Sequence, residues 1–252
     1  MEKIPYSGMR SSISQYVRLA SRINPVQITA EIPAPGLRAF CAERQVTLTP
    51  VLMKIIADTA RQFPLMRALL ARNVFLRKKI YIPDAVSIAV AIEKEHSGEV
   101  FVLTPVIFSV DQKPLAVVSR ELENLAQLPL HALPDMKLRR LLNLLPSFFQ
   151  YLVMRCIIQS AYLAERFFGS VGISNLGAYG IFHFAPVWVN TVVFGVGSLY
   201  DKPVATNGQV AVMPVLHLGL SFNHCVIDGA LAGRMLAAVR QHIEEERYRE
   251  FD

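Results

Sequence analysis

The segment Ser170-Val171-Gly172-Ile173-Ser174-Asn175-Leu176-Gly177-Ala178-Tyr179-Gly180 opens a long stretch of low charge. From residue 167 to residue 227 only Asp201 and Lys202 are charged, and this stretch holds eight of the thirteen glycines. Scarce charge predicts burial, and frequent glycine predicts repeated bends of the backbone. The stretch is therefore expected to be membrane-embedded, the core of an oligomer, or the wall of an active-site channel.

A membrane-spanning helix needs roughly 20 consecutive apolar residues, and glycine, proline and asparagine interrupt the stretch well before that. A second apolar segment, residues 141–154, is too short to span and contains Asn143, Pro146 and Gln150. It is predicted to be a buried or interfacial helix. Residues 1–5 lack the apolar core of a signal peptide, so we expect a cytoplasmic protein.

The composition of the 252-residue chain is that of a folded protein, with 52% apolar residues and a formal net charge of +6. Three widely spaced cysteines (Cys41, Cys156 and Cys225) form neither a disulfide framework nor a metal-binding pair. The basic residues are scattered and not interleaved with aromatics, so no nucleic-acid partner is expected. The positive charge still favours phosphate-bearing small molecules.

The hydrophobic pattern mixes helical and strand periods along the chain. Helices are predicted at residues 11–23, 36–43, 49–62, 114–125, 138–168 (interrupted at Pro146) and 228 to about 248, and strands at residues 26–32, 86–92, 100–110, 171–174, 191–196 and 210–222. No repeat and no long linker divides the chain. One mixed α+β domain spanning residues 1–252 is expected.

The most informative local motif is His224-Cys225-Val226-Ile227-Asp228-Gly229, between an uncharged strand and the last predicted helix. A histidine at the end of a buried strand is well placed to act as a base. Taken singly, however, a histidine is more often a packing residue, Asp228 is more often a helix N-cap, and Ser174 is more often a turn serine. Cys225 is interpreted as a small apolar packing residue.

Several motifs occur together and in a fixed order, and most lie in the second half of the chain. They are Ser7-Gly8-Met9-Arg10, Val86-Ser87-Ile88-Ala89-Val90, Thr104-Pro105-Val106-Ile107, the glycine-rich run 170–180, Phe184-Ala185-Pro186, Gly195-Val196-Gly197 and the His-x-x-x-Asp-Gly motif at 224–229. In this combination the chain resembles the catalytic domain of the dihydrolipoamide acyltransferases, the E2 components of 2-oxoacid dehydrogenase complexes. These share the fold of chloramphenicol acetyltransferase.

The resemblance implies an α+β, chloramphenicol acetyltransferase-like fold with a mixed β-sheet, flanking helices and a trimeric assembly. It implies that His224 is the general base and that the Ser174 hydroxyl stabilises the oxyanion of a thioester reaction. It implies that Asp228 is largely structural and binds an arginine, for which Arg10 is our choice and Arg234 the rival. The site would lie between subunits, with coenzyme A as the acyl-CoA substrate and no metal.

Three departures from the family pattern qualify these expectations. The family's Asp-His-Arg is Asn223-His224-Cys225 here. The resemblance begins at residue 4, so no lipoyl or subunit-binding domain and no covalently attached lipoyl group are expected. Residues from about 130 to 168 form an extra apolar helical hairpin, which would cover the channel mouth, pack on a neighbouring subunit or touch a membrane. We rank the membrane role last.

The leading hypothesis is a stand-alone CoA-dependent acyltransferase that forms a homotrimer or higher homo-oligomer. Its acceptor would be a lipoyl group carried by another protein, or a different thiol, amine or hydroxyl. The alternative is a non-catalytic assembly protein of the same family, suggested by the loss of the charged residues that flank His224. A membrane-surface protein is the third hypothesis.

Overall fold

The computed structural model describes residues 8–23, 25–72, 77–96, 98–134, 136–206 and 208–251. Its centre is a six-stranded mixed sheet in the order β1-β10-β9-β8-β4-β7, accompanied by the two-stranded sheets β2-β3 and β5-β6. The strands are β1 (Pro25–Pro33), β2 (Leu69–Arg72), β3 (Lys78–Tyr81), β4 (Ile88–Val90), β5 (Ile92–His96), β6 (Glu99–Leu103), β7 (Val106–Ile107), β8 (Val171–Asn175), β9 (Val192–Thr206) and β10 (Gln209–Asn223).

Strand directions make the main sheet mixed. β8 runs parallel to both β4 and β9, whereas the β9–β10, β10–β1 and β4–β7 pairs are antiparallel. Helices flank the sheet, and the described part of the chain also contains five short 3-10 segments. They are α1 (Gly8–Ala20), α2 (Leu37–Glu43), α3 (Leu48–Gln62), α4 (Leu115–Gln127), α5 (Met136–Asn143), α6 (Ser147–Gln159), α7 (Ala161–Phe168) and α8 (Gly229–Glu244).

The hydrophobic core lies between one face of the main sheet and the helices α3 and α8. Alternate residues of β9 and β10 point into it, among them Phe194 and Phe222, because successive side chains of a strand point to opposite faces. Ile56 of α3 and Val239 of α8 are fully buried in the same cluster. The opposite sheet face carries Ser174 and is approached at Gly195 by the segment around Phe184 and Pro186.

The α+β class, the mixed sheet and most of the elements predicted from the sequence are confirmed. The predicted strand 26–32 and the helices at 36–43, 49–62 and 114–125 match their observed counterparts within a few residues. The first helix begins earlier than predicted and ends at Ala20, and the last helix ends at Glu244, before a separate 3-10 turn.

Three predicted boundaries are wrong and one hairpin is missing from the prediction, for identifiable reasons. The run 100–110 is broken at Thr104-Pro105, because proline has no N–H for the sheet ladder, and forms β6 and β7 instead of one strand. The hairpin β2–β3 has little apolar alternation in the sequence and was not expected. Residues 138–168 form parts of three helices, and β9 continues ten residues beyond Val196 through Asp201 and Lys202.

That long continuation also corrects the expectation that the charge-poor stretch is buried throughout. The distal halves of β9 and β10 form a projecting hairpin, on which Val210 and Val212 are 74% and 71% exposed. Within the described residues, no helix has the length and apolar character needed to cross a membrane.

Candidate functional site

Ser174 lies near the carboxyl end of β8, directly opposite Gly195 of the parallel strand β9. Its side chain is 9% exposed, and its hydroxyl forms no hydrogen bond with any residue in the described part of the chain. The alternative interpretation of Ser174 as a turn serine is wrong, because the residue is within a paired strand. A hydroxyl without an internal partner is available to donate to a ligand.

The glycine-rich loop after β8 is fixed by side-chain hydrogen bonds. Asn175 donates through Nδ2 to Thr49 Oγ1 (3.1 Å) and accepts through Oδ1 from the Gly177 amide (2.8 Å). Ser198 of β9 donates to the carbonyl oxygens of Gly177 and Ile181, at 2.9 and 3.1 Å. These bonds hold the loop beside Ser174, and the sequence motif gave no indication of Thr49 as a partner.

The spaced glycines of β9 explain how the following segment, residues 181–186, lies against the sheet. A Cβ atom on Gly195 would stand 2.9 Å from the Phe184 carbonyl oxygen, and one on Gly197 would overlap the carbonyl of Phe182. Gln27 of β1 donates a hydrogen bond from Nε2 to the same Phe184 oxygen (2.9 Å). Gly195 and Gly197 therefore permit a close backbone approach that any larger residue would prevent.

His224 follows the last residue of β10 on a turn that Asn223 organises. The buried Asn223 accepts the Cys225 amide through Oδ1 (2.9 Å), and its carbonyl accepts the amides of Val226 and Ile227 at 2.9 and 3.1 Å. The His224 ring centre lies 5.9 Å from that of Phe222, and its side chain is exposed. One chain therefore does not supply the buried surroundings expected for this histidine.

Asp228 is the N-cap of α8. Its Oδ1 accepts the Leu231 amide at 2.7 Å, and its extended backbone is usual for a cap. The structure does not bring Asp228 together with Arg10, whose Nε lies 3.8 Å from Glu99 Oε1. The rival, Arg234, is an exposed residue of α8. Within one chain, Asp228 thus serves as the N-cap of α8.

Cys225 is exposed, so its interpretation as an apolar packing residue is wrong. The hydrogen bond from its amide to Asn223 shows that this position serves the turn and not the core. Among the described residues, no group of three or more His, Cys, Asp or Glu side chains could hold a metal ion.

His217 lies on the sheet face opposite the core, the face that also carries Ser174. The ring of Phe182 partly covers it. Its Nε2 lies 3.1 Å from the Tyr200 hydroxyl and 3.3 Å from Glu31 Oε1. Burial lowers the pKa of His217, although the Glu31 carboxylate opposes this shift. His217 is therefore a hydrogen-bonding partner of Tyr200 whose neutral form is favoured by burial.

Ser174 and His224 do not meet within one chain. Ser174 is level with Gly195 on β9, which pairs with Gly219 on β10, and His224 follows Gly219 by five residues. At about 3.3 Å per residue, the two lie roughly 17 Å apart along the strands, with two strand spacings of about 4.8 Å between them. A site that uses both residues needs a second chain.

The comparisons with known proteins agree with this fold. The family model for 2-oxoacid dehydrogenases acyltransferase (catalytic domain) matches residues 1–131 and 163–248. The chain therefore belongs to this family, as its resemblance indicated. Residues 132–162, which include all of α5 and α6, are outside the match.

Two curated relatives illustrate the range of similarity. The dihydrolipoyllysine-residue acetyltransferase component of the pyruvate dehydrogenase complex of Rickettsia bellii is 31% identical over 63% of this chain. The lipoamide acyltransferase component of the branched-chain alpha-keto acid dehydrogenase complex of Bacillus subtilis is 23% identical over 96% of it. The matches span 31% and 52% of the length of these relatives.

Solved structures share the fold at low identity. A probable dihydrolipoamide acetyltransferase from Listeria monocytogenes superposes with a TM-score of 0.72 at 22% identity, covering 97% of this chain and 95% of that one. The cubic core of a pyruvate dehydrogenase multienzyme complex gives 0.74 at 22% identity, with coverages of 98% and 93%. A chloramphenicol acetyltransferase gives 0.50 at 11%, with coverages of 93% and 94%. The chloramphenicol acetyltransferase-like fold is confirmed.

Proposed function

We propose that this chain is a CoA-dependent acyltransferase that moves an acyl group directly between a CoA thioester and a second nucleophile. The acceptor is a lipoyl-type thiol on a partner protein or another thiol, amine or hydroxyl. The observation that carries the proposal is a pair of side chains: the Ser174 hydroxyl, which has no hydrogen-bond partner among the described residues, and His224, which lies on a turn fixed by Asn223.

The reaction needs a proton acceptor and a stabiliser of negative charge. The His224 imidazole takes the proton of the attacking thiol, whose sulfur then bonds to the thioester carbonyl carbon. The carbonyl π electrons move to oxygen, and the Ser174 hydroxyl donates to the oxyanion so formed. Collapse of the tetrahedral intermediate breaks the carbon–sulfur bond of the leaving thiol, which recovers the proton from the imidazolium.

We infer that the active form is a homotrimer or higher homo-oligomer, with His224 of one chain facing Ser174 of the next. Support comes from the separation of the two residues within a chain and from the exposure of His224. A neighbouring subunit would also exclude water, which strengthens both the hydrogen bond and the proton transfer. Asp228 supports the site by capping α8 immediately after the histidine turn.

The test is turnover of acyl-CoA with dihydrolipoamide by the His224→Ala variant. Loss of the base is expected to lower kcat by about 10²–10⁴-fold without abolishing CoA binding in calorimetry. His131→Ala is the matched control, because His131 is also exposed and lies far along the chain from the turn. Unchanged turnover in His224→Ala would refute the proposal.

The alternative of a non-catalytic assembly protein is supported by one observation. Asn223 and Cys225 are uncharged, so the family's charged neighbours of the histidine are missing. This alternative requires stable oligomers that do not bind CoA. Calorimetry with CoA, together with sedimentation, distinguishes it from the enzyme.

A further inference from the structure

The turn between α5 and α6 carries an exposed apolar surface, which we call the α5–α6 face. Its members, Leu141, Leu144, Phe148, Phe149 and Leu152, are all at least 44% exposed, and Leu144 reaches 82%. Single exposed apolar residues are ordinary, but several large ones within twelve residues of the chain are typical of an interaction site. The face lies within residues 132–162, outside the family match.

The outward orientation of this face is fixed by polar contacts on the opposite side of α6. The buried Gln150 donates through Nε2 to the Leu145 carbonyl (2.8 Å) and accepts from the Ser11 hydroxyl (3.2 Å). The Tyr151 hydroxyl accepts a hydrogen bond from Arg22 Nη1 (2.8 Å). Rotating α6 to bury the phenylalanines would break these bonds, so the helix is held with its apolar side toward solvent.

The three helices that pack together here, α1, α5 and α6, carry basic residues and no acidic ones. Residues 136–164 contain no Asp or Glu, and neither do residues 3–30, which include the adjoining helix α1. Glu99 pairs with Arg10 at the start of α1. Arg18 is eight residues further along this helix, about 12 Å away at 1.5 Å per residue. The basic residues described as exposed on these helices and just after α1 include Arg18, Arg22, Arg140 and Arg155.

We propose that the α5–α6 face docks on a lipid bilayer that contains anionic lipids. Leucine and phenylalanine side chains enter the boundary between headgroups and acyl chains, and the surrounding arginines bind lipid phosphates. The helices lie on the surface, since no described helix is able to cross a membrane. A second copy of this face fits less well, because α1, α5 and α6 offer basic side chains and no acidic ones to pair with them.

This proposal reverses the ranking made from the sequence, and the structure supplies the reason. The sequence shows that residues 130–168 are apolar, but it does not show which side of α6 faces outward. Because Gln150 is inside and Phe148 outside, the apolar side is left for a partner. The proposal does not depend on the acyltransferase activity.

The test is flotation of the full chain with vesicles of phosphatidylcholine alone or with about a third of phosphatidylglycerol. We expect binding to the anionic vesicles that weakens at high salt. Phe148→Ser with Phe149→Ser should abolish it, and Arg140→Gln with Arg155→Gln should weaken it about fivefold per charge. The matched controls are Val210→Ser with Val212→Ser, and Arg61→Gln with Arg120→Gln, which alter equally exposed residues elsewhere.

Failure of the wild-type chain to float with anionic vesicles overturns the proposal. So does undiminished binding by the Phe148/Phe149 variant. If the wild-type chain does not bind vesicles and the Phe148/Phe149 variant sediments as a dissociated oligomer, the face is a subunit interface. That result also overturns the proposal. Acyl transfer in solution by the Phe148/Phe149 variant should equal that of wild type. A failure of the lipid-binding proposal can therefore be distinguished from a failure of the proposed activity.

Discussion

Ser174 and His224 lie toward opposite ends of the main sheet, separated by two strand spacings and by five residues along β10. No rotamer change bridges that distance. Under the proposed reaction, one chain therefore supplies two half-sites, a hydroxyl on β8 and an imidazole on the turn after β10. In a symmetric assembly, Ser174 of each chain would lie beside His224 of its neighbour. Every site would then be completed in the same way.

This relationship predicts complementation between inactive variants. Ser174→Ala and His224→Ala should each lose activity, the former by about 10²–10³-fold in kcat. The two variants are then dissociated, mixed in equal amounts and reassembled. Each site takes its serine from one chain and its histidine from the next, so about a quarter of the sites contain both intact residues. Activity should therefore recover to at most about a quarter of the wild-type value. Turnover of the mixture is the measurement, and recovery no greater than the sum of the two variants would contradict a shared site.

Asn223 is expected to act on catalysis through His224. Asn223→Ala removes the acceptor for the Cys225 amide, so the turn should loosen, with a loss of about 1 kcal/mol in unfolding free energy and a lower kcat at nearly unchanged KM. Asn223→Asp keeps the acceptor oxygen and should restore both. Steady-state kinetics and thermal unfolding are the measurements. A change in KM alone would argue against positioning.

Asp228 offers a test of whether its charge matters. Asp228→Ala should cost about 0.5–2 kcal/mol of unfolding free energy, because the Leu231 amide loses its cap. Asp228→Asn retains a capping oxygen and should keep stability and activity close to wild type. Denaturant unfolding and acyl-transfer assays check this. An inactive but stable Asp228→Asn protein would instead reveal an ionic contact, as the family resemblance implies.

Gly197 should not tolerate a side chain. A methyl group there would overlap the Phe182 carbonyl, so Gly197→Ala should lower the unfolding free energy by about 1–3 kcal/mol as the covering segment is displaced. Gly233→Ala on α8 is the control, because its new methyl group meets nothing within 4 Å and should stabilise the helix by up to about 1 kcal/mol. Melting temperatures that do not separate the two variants would contradict this account of the glycine.

Acid sensitivity should come partly from His242, which packs between α8 and α3. Burial lowers the pKa of His242, while Asp58, 3.7 Å away, opposes the shift. Below about pH 6.5 the unfolded chain therefore binds a proton at this histidine more readily than the folded chain does. The free energy of unfolding should fall as the pH drops, by at most about 1.4 kcal/mol per pH unit for this group. Unfolding between pH 5 and 8 should show a smaller slope in His242→Gln. An unchanged slope would exclude this histidine as the cause.

Local pattern was enough to predict much of the secondary structure. Residues 26–32 alternate as a strand should, and residues 49–62 carry a clear helical period, so both elements were found. Beyond Val196, however, Asp201, Lys202 and Pro203 are typical of a turn, and only pairing with β10 keeps β9 extended there. Cross-strand hydrogen bonds outweigh weak local preference, which explains this error.

The sequence by itself determined the family, the α+β class and the candidate residues, because these rest on residue types at fixed spacing. Tertiary structure decided the relations among them. It separated Ser174 from His224, assigned Asp228 to the helix cap, left Cys225 exposed and turned Phe148 outward. These properties depend on strand register and on hydrogen bonds such as those of Asn223 and Gln150, whose partners are distant in the chain or selected by backbone geometry. No one-dimensional pattern contains that information, because a side chain's direction follows from the element against which it packs.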